Sequence, residues 1–205
     1  LSFSGISSTS LDNVTVNISS GGDIGVDILQ GHHEFSNLEI NMLPNQFGID
    51  GTGIEAWWCS IISDELSVNG FANSSKIHES FATFEDLSLM NSSKQGLYAS
   101  SSSVHVSDSM TTQLADIGMT LISSDVVLRT WSANYHEDGA AIDSDSELTV
   151  WSLTSLGNLR SDMTGYGTVN YGTTQMLDIE ATVNDNRLWE TTVYFEDLTG
   201  NPVDA

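Results

Sequence analysis

Apolar residues fall at every second position in short stretches along nearly the whole chain: Val14/Val16/Ile18, Leu38/Ile40/Met42, Leu87/Leu89, Val104/Val106, Val126/Leu128, Leu148/Val150, Val169/Tyr171 and Val193/Phe195. Successive side chains of an extended strand point to opposite faces, so each stretch predicts a short strand with one buried face. The markers Val16, Ile40, Ile62, Leu87, Val106, Leu128, Val150, Tyr171 and Val193 follow one another at steps of 24, 22, 25, 19, 22, 22, 21 and 22. A second series interleaves with the first. The pairs Gly25-Val26, Gly48-Ile49, Gly70-Phe71, Gly96-Leu97, Gly118-Met119 and Gly139-Ala140 place glycines at steps of 23, 22, 26, 22 and 21. Between the stretches lie bends rich in Ser, Asn, Asp and Gly, such as Ser19 to Gly22, Asn73 to Ser75, Ser100 to Ser103 and Asp143 to Ser146. These residues accept positive φ or hydrogen-bond nearby backbone.

A period of two nested in a period near 22 predicts stacked coils, each holding two or three short strands. Each strand then pairs with its equivalent above and below, and the inward side chains form narrow apolar ladders. An antiparallel sandwich also alternates, but it does not place Gly-apolar pairs at one recurring interval. Long stretches of period 3.6 are absent, which argues against helix. The expected fold is all-β, a right-handed parallel β-helix of about nine coils, the hand following from the bias of parallel crossovers. At about 4.8 Å per coil the rod would be roughly 43 Å long. Val16, Ile40, Leu87, Val106, Leu128 and Val150 should point inward, and the six glycines should mark one line along the rod. The end coils of such a rod expose unpaired edges unless something caps them. No amphipathic capping helix shows at either end, and the chain begins at Leu1 without Met, so a stretch of a longer protein is expected.

Charge and composition narrow the surroundings. Twenty-eight acidic residues against 5 Lys and Arg give a net charge of −23. Such a surface repels nucleic acid and anionic lipid, and suits a salty medium, divalent cations or solubility. The lone Cys59 excludes an intramolecular disulfide and, beside Trp57, Trp58, Ile61 and Ile62, reads as a buried small hydrophobe. No apolar run is long enough to span a bilayer, so direct membrane insertion is not expected. Sequons at Asn13, Asn17, Asn73 and Asn91 are compatible with a secreted or cell-surface location.

With its Gly-apolar-x-apolar units, as in Gly25-Val26-Asp27-Ile28 and Gly118-Met119-Thr120-Leu121, the chain resembles the pectate-lyase-like parallel β-helix repeat family. The resemblance is clearest from Leu11 to Ile142. It implies a fold and leaves chemistry open, because the scaffold serves enzymes and non-enzymes alike. The β-helix segment is expected over 1–192. Residues 193–205 are either its last coil or the opening of a further module, since Val193 to Val203 resembles the first strand and turn of an immunoglobulin-like or carboxypeptidase-regulatory-like domain.

Two groups of residues are candidates for chemistry. His136, Glu137, Asp138, Asp143, Asp145 and Glu147 lie within one coil. They could supply a general acid and base for glycoside cleavage, and Glu137, Asp138, Asp143 and Asp145 could bind Ca²⁺ through hard oxygens. In so acidic a chain, close acidic pairs also arise without a role. The aromatic residues Trp131, Trp151, Tyr171 and Tyr194 recur at 20, 20 and 23 residues. On an outer face they would form a ladder able to stack sugar rings; on an inner face they would be a core stack, which their inconsistent parity favours. Trp57 and Trp58, being adjacent, send one ring outward if extended. The same rule sets the imidazoles of His32 and His33 on opposite faces. The basic residues are few and scattered, which disfavours a lyase acting on acidic sugars. Neither a Gly-x-Ser-x-Gly elbow nor a phosphate-binding glycine loop is present.

Two functions follow. One is a non-catalytic structural or adhesive segment of a large exported protein, with flanking domains and polysaccharide or other cell-surface components as partners. The other is a carbohydrate-active β-helix region.

Overall fold

The computed structural model describes residues 1–5, 8–19, 24–43, 50–175 and 183–187. Among them there are sixteen strands and no helix. They are β1 (Ser2–Ser4), β2 (Ser8–Leu11), β3 (Val14–Ile18), β4 (Ile24–Met42), β5 (Thr52–Asn69), β6 (Asn73–His78), β7 (Phe81–Met90), β8 (Gln95–Ser100), β9 (Ser103–Gln113), β10 (Ile117–Ile122), β11 (Asp125–Asn134), β12 (Asp138–Ile142), β13 (Glu147–Leu156), β14 (Ser161–Gly165), β15 (Thr168–Gln175) and β16 (Asn184–Arg187). The pairings are parallel, as a solenoid requires.

Each turn carries three strand segments. β4 and β5 hold all three without interruption. From β6 to β15 the first segment is an even-numbered strand and the following odd-numbered strand supplies the other two. About seven turns stack from β4 to β15, with β1–β3 paired onto the front and β16 onto the back. Those seven turns span roughly 34 Å among the described residues, against the nine coils expected.

The interior is a set of in-register columns. In the first segment Val26, Ile54, Ser75, Leu97, Met119, Ala140 and Met163 stack on one another. In the second, Phe35, Ser63, Phe84, Val106, Leu128, Val150 and Tyr171 do so. In the third, Val16, Ile40, Val68, Leu89, Thr112, Ala133 and Ser155 do. Ile40, Leu87, Val106, Leu128 and Val150 are buried, and Val16 packs half-buried against the core. The expected marker series mixes three columns, because Ile40 and Leu87 lie in different columns of the third segment and Val106 lies in the second. Ile62 points outward at 40% exposure. Its neighbour Ile61 takes the inward place, and one step along a strand reverses the face. Val193 lies outside the described residues.

The glycine line is real but its membership differs from the expected one. Register places Gly25, Gly53, Ser74, Gly96, Gly118, Gly139 and Asp162 at one position of successive turns. Gly70 instead occupies a bend, at φ 88°, and Gly48 lies outside the described residues. The line exists because two consecutive residues, the glycine and its apolar successor, are both buried at the start of the first segment. A Cβ at Gly118 would stand 2.6 Å from the carbonyl oxygen of Gly139 in the next turn and 2.9 Å from the His136 ring.

Two corners of most turns are set by a residue at positive φ followed by a residue pointing inward. Trp58, Glu79, Ser101 and Ser123 turn the chain between the first and second segments, at φ 47–53°. Behind them Cys59, Ser80, Ser102 and Ser124 point inward, continued one turn on by Ser146. There the backbone N–H runs along the rod axis and finds the side chain of the next turn. Cys59 N–H donates to Ser80 Oγ (3.1 Å), Ser80 to Ser102 (3.2 Å), Ser102 to Ser124 (3.0 Å) and Ser124 to Ser146 (3.0 Å). The hydroxyls of Ser80, Ser102 and Ser124 in turn donate to the carbonyl two residues back. Ser80, Ser102, Ser124 and Ser146 are spaced by 22 residues throughout, a signal visible in the sequence.

Two stability measurements check this architecture. Gly118→Val must displace the next turn's backbone and is expected to cost about 1–3 kcal/mol in denaturant unfolding. Ser102→Ala leaves the buried Ser80 N–H without an acceptor and should cost about 1–3 kcal/mol. An unchanged midpoint for Ser102→Ala would show that the hydroxyl file adds nothing.

Candidate functional site

The corner after the third segment follows the same rule. Gly70, Asn91, Leu114, Tyr135 and Gly157 have positive φ, and Phe71, Ser92, Ala115, His136 and Asn158 come next. Ala115 N–H donates to His136 Nδ1 (3.1 Å), and His136 N–H donates to Asn158 Oδ1 (3.1 Å). His136 is therefore a buried structural acceptor. With Nδ1 accepting, Nε2 bears the proton and donates to the Thr112 carbonyl (3.1 Å) and hydroxyl (3.0 Å). Burial pushes its pKa below the ordinary 6.5, against the opposing pull of the Ala115 and Thr112 carbonyls.

The acidic residues of this coil are separated into two places by β12. At its start Asp138 is buried, accepts from Ser161 Oγ (2.9 Å) and forms an ion pair with Arg160. Arg160 also lies 3.5 Å from Glu137. At its end Asp143 accepts the Ser123 N–H with both oxygens (3.1 Å each), the Asp145 N–H (3.2 Å) and the Ser146 hydroxyl (2.5 Å). Glu137, Asp138, Asp143 and Asp145 thus do not converge, and among the described residues no group of three or more His, Cys, Asp or Glu side chains is arranged to hold a metal ion.

The aromatic series is dispersed as well. Trp131 is fully buried in the third segment, its indole N–H donating to Thr112 Oγ1 (3.1 Å). Trp151 is 46% exposed between the second and third segments of its turn. Tyr171 packs half-buried at the end of the second-segment column, and its hydroxyl donates to Asp185 (3.3 Å). Tyr194 lies outside the described residues, as does the whole of 193–205. His32 and His33 do take opposite faces: His33 is buried, and His32 pairs outside with Glu34 at 3.0 Å.

A different aromatic group is assembled. On the outer face of the first segment, Leu29, Trp57, His78 and Ser100 form one column, and Glu55, Lys76 and Tyr98 the column beside it. Trp57 and His78 stack with centroids 3.8 Å apart and planes 8° from parallel. Tyr98 tilts against His78 at 5.3 Å, and Trp58 against Trp57 at 5.5 Å. The Trp57 indole donates to Glu55 Oε1 (3.1 Å). His78 Nε2 is buried without a hydrogen-bond partner, 4.0 Å from the same carboxylate oxygen. Burial lowers the His78 pKa; Glu55 and Glu79 oppose that shift and Lys76 reinforces it. Trp58 sits on the corner at φ 53° and is 51% exposed. Trp57 takes the outward place in its strand, and the positive φ at Trp58 lets that ring project outward too while Cys59 turns in. Alternation alone therefore misplaces Trp58. Spacing within one strand could not reveal the group, because its members come from three successive turns. Its sequence signal is the step of 21 between Trp57 and His78.

Comparison with protein-family models, curated proteins and solved structures returns no match.

The buried His136 carries a pH prediction. Its folded pKa is lower than its unfolded one, so its contribution to stability is full above about pH 6.5 and is lost as pH falls through the folded value. His136→Asn borrows the residue that the next turn uses at this corner. The variant should fold, and the fall in Tm between about pH 7 and 5 should be shallower than in the parent. Parallel curves for the two proteins would assign the acid sensitivity to other groups.

Proposed function

We propose that this chain is a non-catalytic structural and adhesive β-solenoid within a large secreted or cell-surface protein. The supporting observation is how its carboxylates are employed. Asp138 neutralises Arg160, Asp143 holds the Ser123 and Ser146 corner, and Asp162 accepts from Ser155 and Asn158. Glycoside cleavage needs two carboxyl groups in unlike environments facing one bond. These carboxylates are instead held apart and engaged with the solenoid's own backbone and side chains. The solenoid itself suits a spacer, since every turn adds the same rise. Relatedness to pectate-lyase-like β-helices and a following immunoglobulin-like module from Val193 belong to the same proposal.

A turnover assay tests it. Incubation of the purified chain with neutral and acidic polysaccharides is expected to yield neither new reducing ends nor unsaturated products. Cleavage that Glu137→Gln abolishes without unfolding the chain would instead make this a carbohydrate-active enzyme. Asp143→Asn is a separate structural control. It weakens acceptors for the Ser123 and Ser146 corner and should lower stability by about 1–3 kcal/mol.

A further inference from the structure

We infer that the corner formed by Trp57, Trp58 and Tyr98 is a binding site for a glycan that carries no negative charge. The inference rests on the adhesive reading above and gives it a ligand class and a place.

Shape and exposure come first. Elsewhere along this corner line the positive-φ residue is Gln30, Glu79, Ser101 or Ser123, each polar. In the second of the seven turns it is tryptophan, half exposed in a conformation that bulky residues seldom adopt. One turn further, Phe81 stacks beneath Ser60 on the adjoining face and is 70% exposed. Aromatic residues therefore lie on both sides of the corner, the Trp57–His78–Tyr98 group on one face and Phe81 on the other. Scattered exposed apolar residues are ordinary, but Trp57, Trp58, His78 and Tyr98 touch one another across three successive turns, with Phe81 exposed on the adjoining face.

The polar groups within that surface distinguish a sugar from an oily partner. Pyranose rings present C–H faces to aromatic rings and hydroxyls at their rims. Glu55 is already aimed by the Trp57 indole, and Lys76 is the adjacent donor. An acceptor and a donor thus stand side by side along the rod axis among the rings, spaced by the rise of one turn. A saccharide chain lying along the axis can use both the rings and these groups.

Charge decides the class of glycan. Glu55 and Glu79 flank the rings, Lys76 is the one basic residue of the patch, and the chain as a whole carries −23. A uronate or sulfated sugar would be repelled, whereas a neutral sugar is tolerated and an amino sugar is attracted. The shared chemistry is therefore an uncharged or cationic glycan.

Binding to the intact chain can be followed by quenching of tryptophan fluorescence and by calorimetry. The probes are oligomers of glucose, N-acetylglucosamine, glucosamine and galacturonate. Variants come from the solenoid itself: Trp58→Ser copies the corners at Ser101 and Ser123, and Tyr98→Thr copies Thr120 in the next turn. Both should keep the parent's circular dichroism. The parent is expected to bind a neutral or glucosamine oligomer and to ignore galacturonate. Each substitution should weaken binding by about tenfold, the loss of one stacked ring. A glucosamine preference that disappears at high salt would identify the cationic source, and a salt-independent preference the neutral one. Either result supports the site. Three results would overturn it: no binding of any oligomer by the parent, affinity unchanged in both folded variants, or a parent dimer that Trp58→Ser converts to monomer in sedimentation. The last would assign the corner to contact between copies. Turnover of a bound oligomer would defeat the non-catalytic reading and leave this site standing.

Discussion

A backbone N–H that points along the rod at each corner must find an acceptor inside the protein. Along the straight segments the next turn's carbonyl meets this need. At the corners the residue at positive φ rotates the following peptide, and the inward residue's N–H faces a side chain instead. An unpaired buried N–H costs about as much as the loss of a typical buried hydrogen bond, so the next turn has to supply an acceptor of fixed length. Serine does this at one corner through Ser80, Ser102, Ser124 and Ser146, and at the other His136 and Asn158 serve the same end. The ladders of buried Val, Leu, Ile and Met depend on it, because the corners hold the three segments in register from turn to turn.

That constraint explains where the polar residues of this chain are employed. Buried serines, a buried histidine and several carboxylates look like chemistry in a list of residues. In the solenoid most of them satisfy backbone. Asp143 replaces a carbonyl for Ser123, Asp138 offsets the one guanidinium brought against it, and His136 is a neutral acceptor whose depressed pKa follows from burial. Desolvation costs of this kind are offset where the buried polar atoms are matched, and at these corners the match is made across turns.

The outer faces are free of that requirement, and there the turns differ. Substituting an outward residue changes neither a corner nor a ladder, so Trp58 can stand where its neighbours have Ser or Glu. The aromatic corner is accordingly a place where the repeat departs from its own pattern. A tryptophan at positive φ is an energetic burden to the fold, and such burdens concentrate where a surface has another use.

The period near 22, the nested alternation and the scarcity of helix-favouring runs determined an all-β parallel solenoid from sequence alone, because stacked turns force each residue to answer to its equivalent one turn away. Four of the six expected glycines, Gly25, Gly96, Gly118 and Gly139, mark the true line. Gly70 was drawn into the series by spacing alone, and Gly53 was passed over because the first turn is longer than 22 residues. Ile62 was misassigned because two adjacent isoleucines leave parity undecided. Neither the splitting of the acidic coil nor the scattering of Trp131, Trp151 and Tyr171 could be read from intervals, since a one-residue difference at a bend changes both face and column. Ser107 and Asp108, standing opposite single residues in the turns on either side, make such a difference. Only the tertiary structure brought Trp57, Trp58, His78 and Tyr98 together. Their proximity depends on the register of three turns and on a positive φ at Trp58, and both are decided by hydrogen bonds between turns that no local pattern records.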